Sequence, residues 1–380
     1  MTARAKGLAS KSIAHSLDSA PARTAFRKSL LRWFNANARD LPWRRTSDPY
    51  AIWLSEIMLQ QTQVATVVAY YERFLKRFPT ISHLAQAHEQ DVLKLWEGLG
   101  YYRRARQLHA ASRVVASQHA GEFPCDFEQI RALPGIGRYT AGAIASFAYN
   151  DRQPIVEANT IRLYCRLLGI EEDPRSKAVQ QKLWQFAEEI LPARNPGQIN
   201  QALIELGSQV CKPRQPLCDA CPVARHCLAK QINRVDLIPK AAKKTNYEDA
   251  LEAAVVVRDQ KGRILLRQRT NAERWAGMWD FPRGNLAIGS AALEPASLDL
   301  VRVSELVTNQ TGAKINLIGE RFRIRHGVTR FRIELVCFDA DLLAPLKPRE
   351  DLRWVSAAQL TEIPLSVSAR KLAKNLATNS

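Results

Sequence analysis

The spacing of apolar residues predicts helices from Thr24 to about Lys230. Between residues 53 and 78, apolar side chains recur at intervals that place them on one stripe of a helix, and Asp48-Pro49 precedes them as a start signal. We therefore expect one helix over 53–78. Further helices are predicted at 91–96, 103–118, 139–149, 160–168, 178–190 and 199–210.

The pattern changes after Cys227, where alternation typical of strands replaces helical periodicity. Turn sequences such as Asp259-Gln260-Lys261-Gly262 and His326-Gly327 separate short runs of β-branched and aromatic residues. The sequence therefore predicts an all-α half followed by a smaller α/β half. Strands are expected at 253–258, 263–269, 321–325 and 331–338, and a helix at 298–310.

The net charge of the chain indicates which class of molecule it binds. The chain has 55 Lys and Arg against 37 Asp and Glu, a net charge of +18, which favours a polyanion and above all nucleic acid. No run approaches the roughly 18 consecutive apolar residues of a membrane span, so no membrane partner is expected. The basic, serine-containing residues 1–21 lack the apolar core of a secretory signal, and they predict a disordered tail or, alternatively, an organelle-targeting segment.

Four of the seven cysteines crowd into one short segment with the spacing C-x6-C-x2-C-x5-C. Four thiolates in one loop can wrap a [4Fe-4S] cluster, each binding one iron. A zinc site also accepts four cysteines, but its usual form has two CxxC pairs and only one occurs here. The candidate ligands, which we expect to have a structural role, are Cys211, Cys218, Cys221 and Cys227.

The sequence Leu133-Pro134-Gly135-Ile136-Gly137 lies between two predicted helices. Its glycines permit a tight hairpin, and Gly137 opens a helix whose amino-terminal N–H groups can bind a phosphate without reading base sequence. Leu133, Gly135 and Gly137 are therefore candidate DNA-backbone contacts.

Taken together, these motifs resemble the helix-hairpin-helix DNA glycosylases, and most closely the MutY-type adenine DNA glycosylases, which remove adenine mispaired with 8-oxoguanine. The resemblance covers about residues 22–365. It implies a helical glycosylase domain at 22–232, with the hairpin at 128–149 and the cluster loop at 211–227, then a linker at 233–248 and a Nudix-like domain at 249–368. The motifs that carry it are LPWR, WLSEIMLQQTQV, GLGYYRRAR, LPGIGRYTAGA, NQALIELG and GMWDFPRG.

Breaking the bond between adenine and sugar requires a proton donor to the base and a carboxylate beside the cationic sugar. Glu56 matches the family's catalytic glutamate, on an apolar helix where burial would hold its proton near neutrality. The second carboxylate is an aspartate in the family, whereas this chain has Glu157, one methylene longer; a misplacement of that size can cost on the order of 100-fold in rate. Asn159 matches an asparagine that would orient the carboxylates. Tyr139 stands where endonuclease III relatives have a Schiff-base lysine, which predicts a monofunctional hydrolase that leaves the strand intact.

The resemblance also assigns residues that touch DNA. Gln61 and Tyr101 are expected to fill or wedge the duplex when adenine leaves the stack, and Thr62 is a further candidate DNA contact. Arg39, Arg44 and Gln201 are expected at the base pocket, where a glutamine amide suits the N1/N6 edge of adenine.

The second half is similar to a Nudix fold without its chemistry. The metal-binding signature R-E-x2-E-E has lost its glutamates, with Leu306, Asn309 and Gln310 in their places, so no pyrophosphatase activity is expected. In the family a Phe-Ser-His hairpin recognises 8-oxoguanine. The matching stretch here has Val328, Thr329 and Arg330, so Thr329 keeps the hydroxyl and, with Arg330, is the candidate DNA contact; a plain β-turn is the alternative.

The sequence therefore predicts a monomeric adenine glycosylase with a [4Fe-4S] cluster, acting on double-stranded DNA that carries an adenine mispair. The expected location is the cytoplasm at the nucleoid, or an organelle or the nucleus in a eukaryote. Two alternatives remain: a related glycosylase for another mispaired or oxidised base, and an iron–sulfur DNA-binding protein with weakened catalysis, for which the Glu157 departure is the argument.

Overall fold

The computed structural model describes residues 17–241, 246–289, 292 and 298–378. Most of the predicted tail at 1–21 and part of the predicted linker at 233–248 lie outside the described residues. The chain divides into two compact units, residues 1–56 with 123–242 and residues 57–122 with 243–380. In the described part of the chain no helix is both long and apolar enough to cross a membrane.

The amino-terminal half is helical, as predicted, and includes short 3-10 turns at Pro42–Arg44, Cys218–Ala220 and Ala224–His226. The helices are α1 (Ala20–Asn37), α2 (Pro49–Leu59), α3 (Val64–Arg77), α4 (Ile81–Gln86), α5 (Glu89–Trp96), α6 (Arg103–Gln118), α7 (Phe127–Ala132), α8 (Arg138–Ala148), α9 (Ala158–Leu168), α10 (Lys177–Ile190), α11 (Pro196–Gln209) and α12 (Leu228–Gln231).

The prediction of one helix over 53–78 is wrong. Two helices, α2 and α3, stand there, and the chain between them passes through Gln61 in the left-handed conformation, with φ of +57°. The Arg104 guanidinium donates to the carbonyl oxygens of Ile57, at 2.8 Å, and Met58, at 3.1 Å. These carbonyls would otherwise accept from the next helical turn, so the arginine provides the missing partner and α2 can end.

The apolar core of the first unit includes side chains of α1, α9, α10 and α11. Gly207 permits a close approach between α11 and α9, because a Cβ at this position would lie 2.8 Å from the Cβ of Asn159. Because the two helices lie this close, the side chain of Arg162 on α9 reaches both Asn159 on its own helix and the Gly207 carbonyl on α11.

The carboxyl-terminal half contains a mixed sheet in the strand order β3-β2-β1-β6-β5, with β4 added beside β1 and β7 beside β2. β1 and β6 run parallel and the other pairs are antiparallel. The strands are β1 (Glu248–Arg258), β2 (Ile264–Gln268), β3 (Trp279–Asp280), β4 (Arg283–Ile288), β5 (Ile315–Val328), β6 (Phe331–Leu342) and β7 (Leu352–Val355).

One helix covers each face of this sheet. Helix α13 (Leu300–Thr311) contributes Val303 and Val307 to the core on one face, and helix α14 (Val367–Thr378) contributes Leu372 and Leu376 to the core on the other. β1 is buried on both faces, which explains its nearly continuous apolar sequence. The predicted order of an all-α half and a smaller α/β half is thus confirmed, and the sequence-based boundary at 368 falls inside α14.

Candidate active site and DNA interface

Glu56 and Tyr139 meet in the first unit. Glu56 lies on α2 with 7% of its surface exposed, and Tyr139 lies in the first turn of α8. The Tyr139 hydroxyl donates to Glu56 Oε2 at 2.8 Å. The sequence placed both residues in one site, and the structure brings them into direct contact across 83 positions of chain.

Burial raises the pKa of Glu56 to about 7, although the hydrogen bond from Tyr139 and the charge of Arg44 both lower it. The negative charge of Glu157 adds to the effect of burial. Burial also raises the pKa of Tyr139 well above its ordinary value, with further contributions from Glu56 and Glu157, so the phenol stays protonated and remains a donor. The site thus contains a carboxyl group that can hold a proton near neutral pH.

Glu157 is the amino-terminal cap of α9. Its Oε1 accepts from the backbone N–H groups of Asn159 and Thr160, each at 2.9 Å, and its Oε2 accepts from Asn159 Nδ2 at 3.2 Å. Thr160 Oγ1 in turn accepts from the Glu157 N–H at 2.8 Å, which completes a capping box. Burial raises the pKa of Glu157, while these bonds and Arg162 oppose the rise. The longer side chain therefore folds back onto its own helix and holds a carboxylate beside Glu56.

Arg162 is a site residue that the sequence did not reveal. Its Nη2 donates to Asn159 Oδ1 at 3.0 Å and to the Gly207 carbonyl at 2.6 Å. Its Nε donates to the carbonyl of Cys211 at 2.6 Å. One arginine therefore joins the asparagine that binds Glu157 to the first cysteine of the candidate cluster loop. The only sequence signal is its position one helical turn after Asn159.

Arg39 and Arg44, predicted at the base pocket, both bind the fully buried carboxylate of Glu205. Arg39 donates from Nε at 2.8 Å and from Nη2 at 2.7 Å, and Arg44 donates from Nη2 at 2.8 Å. These bonds lower the pKa of Glu205 to about 2, against the effect of its burial. Gln201 lies four residues before Glu205 on α11, and so on the same helix face. The sequence analysis missed Glu205, which holds both arginines in place.

Gln61 and Tyr101 stand exposed on two loops, the Gln61 loop (residues 60–63) and the Tyr101 loop (residues 97–102). Both residues adopt the left-handed conformation, with φ of +57° and +47°, and 54% of the Tyr101 surface is exposed. The buried Arg104 joins the loops, because its Nη1 also donates to the Gln60 carbonyl and its Nη2 donates to Thr62 Oγ1 at 3.2 Å and to the carbonyls of Leu99 and Gly100, each at 3.3 Å. Thr62 therefore helps to hold the Gln61 loop through Arg104, and it is also a candidate DNA contact.

The predicted hairpin forms between α7 and α8. Leu133 is buried at the end of α7, and Gly135 has a φ of +77°, which favours glycine. Gly137 is the amino-terminal cap of α8 and contributes no side chain to the helix end. The hairpin, with Gly135 and Gly137 exposed, leads into the amino-terminal turn of α8, which is the geometry that binds a phosphate oxygen.

The four candidate cysteine ligands line one cavity in the first unit, together with apolar side chains such as Leu163 and Val223. The buried Arg166 supports the loop by donating to Cys211 Sγ at 3.3 Å and to the Lys212 carbonyl at 2.8 Å. Among the described residues, no three His, Cys, Asp or Glu side chains gather closely enough for a single metal ion. The four thiols around this cavity are a donor set that fits a four-iron cluster, which binds each thiolate at a separate iron.

In the second unit, Thr329 and Arg330 form the two-residue turn between β5 and β6 and are both exposed. Thr329 has a φ of +52°, and its hydroxyl lies 2.7 Å from the Val328 carbonyl, to which it donates. Arg330 lies 3.6 Å from the Glu248 carboxylate. The predicted contact residues thus occupy the tip of a hairpin, where a nucleic acid can reach them.

Helix α13 contains the stretch in which the sequence analysis looked for the Nudix metal-binding signature, and its Gln310 binds the backbone of Arg283. Its Oε1 accepts from the Arg283 N–H at 3.1 Å, and its Nε2 donates to the Arg283 carbonyl at 2.9 Å. An amide can make both bonds, whereas a carboxylate has no proton to donate. The loss of the metal-binding glutamates therefore accompanies a structural use of one of their positions.

Comparisons with known proteins agree with both halves of the fold. Residues 54–189 match the family model described as HhH-GPD superfamily base excision DNA repair protein, and residues 253–375 match the NUDIX domain model. The chain is similar to the adenine DNA glycosylase of Homo sapiens, with 38% identity over 314 residues, which cover 68% of this chain and 57% of the human protein. The chain thus spans a little over half the length of that relative.

The chain is also similar to the adenine DNA glycosylase of Buchnera aphidicola subsp. Acyrthosiphon pisum, with 35% identity over 259 residues, which cover 68% of this chain and 74% of the relative. Among solved structures, that of a thermostable thymine-DNA glycosylase aligns with a TM-score of 0.51 and 28% identity. The alignment covers 55% of this chain and 97% of that one. The helical fold is therefore shared with an enzyme named for a different base, so the fold alone does not select adenine.

Proposed function

Because the chain belongs to the adenine DNA glycosylase family, we propose that it hydrolyses the bond between adenine and deoxyribose in double-stranded DNA. The observation that carries the proposal is the set of Glu56, Tyr139 and Glu157 in the first unit. Base release needs a proton donor and a second carboxylate, and the site offers the buried Glu56, the half-buried Glu157 and a phenol that donates to Glu56.

In the proposed reaction, protonated Glu56 gives its proton to N7 of adenine, which makes the base a better leaving group. The carboxylate of Glu157, held by the amino terminus of α9, provides the opposite charge for the cationic sugar. Tyr139 keeps its proton and donates to Glu56, and it has no amine for a Schiff base. Water completes the reaction, so the product is free adenine and an abasic site in an intact strand.

We further propose that the strand opposite the adenine carries 8-oxoguanine and that Thr329 recognises it. Since the Thr329 hydroxyl proton points to the Val328 carbonyl, the lone pairs of Oγ1 remain to accept a hydrogen bond. 8-Oxoguanine has an N–H group at position 7, whereas guanine has an acceptor there. An oxygen that only accepts therefore distinguishes the two bases. The neighbouring Arg330 suits a phosphate of the same strand.

The four cysteines suit a [4Fe-4S] cluster, with Cys211, Cys218, Cys221 and Cys227 as its ligands. When bound, the cluster would hold the loop of residues 211–227 and so provide structural support rather than chemistry to the reaction. The basic charge of the chain and the hairpin before α8 support duplex DNA as the partner.

The test measures base release from four duplexes under single-turnover conditions: adenine opposite 8-oxoguanine, adenine opposite guanine, thymine opposite guanine, and fully paired DNA. We expect release of adenine alone, fastest opposite 8-oxoguanine, with strand breaks appearing only after alkali. Glu56→Gln is expected to bind the same duplex and release nothing. Release of thymine in place of adenine would support the alternative glycosylase, and binding without release by the unaltered chain would support the DNA-binding alternative.

Two Thr329 variants test the lesion contact. Thr329→Ser keeps the hydroxyl and is expected to keep the preference for 8-oxoguanine over guanine, whereas Thr329→Val is expected to lose it. An unchanged preference in Thr329→Val would refute the assignment.

A further inference from the structure

Glu97 is the first residue of the Tyr101 loop, and its carboxylate is bound from the far end of the sequence. Arg370, on α14, donates to Glu97 Oε1 from Nε at 2.5 Å and to Oε2 from Nη2 at 2.9 Å. The N–H of Leu365 lies 3.3 Å from the same Oε2, and Lys94 Nζ lies 3.2 Å from it. All these residues belong to the second unit.

The ion pair is shielded from water. Only 13% of the Glu97 side chain and 17% of the Arg370 side chain are exposed. Arg370 is itself fixed, because its guanidinium also donates to the carbonyls of Leu360 and Ile363. A bidentate arginine held in this way constrains the direction of the carboxylate more strongly than a mobile surface pair does.

Glu97 lies at the start of the Tyr101 loop, directly before the first residue with a positive φ. Its carbonyl accepts from the Tyr70 hydroxyl at 2.7 Å, and the next residue, Gly98, has a φ of +102°. Gly100 and Tyr101 follow with φ of +70° and +47°. A loop with three residues at positive φ relies on bonds at its ends, and Arg370 supplies the bond that comes from α14.

We propose that Arg370 is a positioning residue for base extrusion: by holding Glu97, it holds the loop that presents Tyr101 to the duplex. The proposal rests on the proposed function for the role of Tyr101. It assigns to the carboxyl-terminal half a second task, separate from the reading of a lesion base by the hairpin at Thr329.

The test combines Arg370→Gln and Arg370→Lys with Tyr101→Ala and measures single-turnover adenine release. Arg370→Gln is expected to slow release roughly three- to thirtyfold, the range of couplings carried through packed networks. The slowing should be equal opposite 8-oxoguanine and opposite guanine, and Arg370→Lys should recover part of the rate. In the Tyr101→Ala background, Arg370→Gln should cause no further slowing, because the residue through which it acts is gone.

Arg258→Gln is the control, since it removes an ion pair of the sheet with Asp339, at 3.0 Å, while Asp339 keeps Arg321 as a partner at 2.8 Å. It is expected to leave release unchanged. Equal slowing by Arg370→Gln in the presence of Tyr101 and in the Tyr101→Ala background would overturn the proposal. An unaltered rate of Arg370→Gln in the presence of Tyr101 would also overturn it. If Arg370→Gln does not fold, Glu97→Gln replaces it with the same expectations.

A second readout separates this inference from the proposed function. 2-Aminopurine beside the target base brightens when a wedge residue opens the stack, whether or not a base is released. Arg370→Gln is expected to reduce the brightening on binding in the Tyr101 chain and not in the Tyr101→Ala chain. A chain that releases no adenine yet shows this pattern would refute the glycosylase and keep the positioning role.

Discussion

Replacing Tyr139 by phenylalanine tests the electrostatic account of the active site. The Tyr139 hydroxyl bonds to Glu56 and lowers its pKa, against the burial that raises it to about 7. The bond favours the ionised form of Glu56, so its loss must raise the pKa further. A hydrogen bond to a charged group contributes about 1.5–3 kcal/mol, and one pKa unit corresponds to about 1.4 kcal/mol. The shift should therefore be about one to two units.

The assay is the single-turnover rate of adenine release across pH 5 to 10. Because the proton donor must be protonated, the unaltered chain should lose activity as the pH rises through about 7. In Tyr139→Phe this alkaline limb should move to higher pH by about one to two units, whatever happens to the rate on the plateau.

Tyr149→Phe is the control, because this tyrosine follows the same helix and its hydroxyl donates to the Phe123 carbonyl at 2.9 Å rather than to Glu56. Its pH profile should match that of the unaltered chain. An alkaline limb that stays in place in Tyr139→Phe, or moves to lower pH, would refute the reasoning.

Three further substitutions give direct tests. Glu157→Asp should slow adenine release by about tenfold to 100-fold with little change in melting temperature, since aspartate still caps α9 but carries its charge in a different place; a faster rate would contradict this. Glu56→Gln should have a higher free energy of unfolding than the unaltered chain, by a difference that grows from the usual glutamate pKa to about pH 7 and then stays constant at about 3 kcal/mol. The sign follows because a raised carboxyl pKa stabilises the fold at low pH and this contribution is lost as the pH rises; chemical denaturation at several pH values measures the difference, and a difference independent of pH would contradict the prediction. Arg104→Gln should lower the free energy of unfolding by about 3 kcal/mol or more, because several buried carbonyls lose their donor, and chemical denaturation would measure it.

The succession of a helical half and an α/β half was predictable because the longer elements carry their own periodicity. The break between α2 and α3 was not, because apolar spacing continues across it and the cause is Arg104, more than 40 residues further along the chain. The local sequence permits a helix through this stretch, and the end of α2 depends on the distant Arg104 guanidinium. The short strands β3 and β7 were not predicted, because they are too brief to show alternation.

In the candidate site, too, some residues were predictable from local sequence and others depend on tertiary packing. Glu56, Tyr139 and Glu157 were accessible through motifs, and the four cysteines through their spacing. Glu205 and Arg162 carry no such signal, because each acts through a partner that only the packing of α11 against the rest of the first unit brings near. The reason why Glu157 fits in place of an aspartate also needed coordinates, since the capping box at α9 depends on where its side chain turns.

The hydrogen bonds of Gln310 determine what a glutamate at this position of the Nudix-like half would do to the fold. Restoring a glutamate there would return one metal ligand, but it would also remove the donor to the Arg283 carbonyl and set a carboxylate against it. A single step back would therefore weaken the fold before any metal site existed, because the remaining glutamates would still be absent. The two hydrogen bonds of Gln310 to the Arg283 backbone therefore oppose a carboxylate at this position.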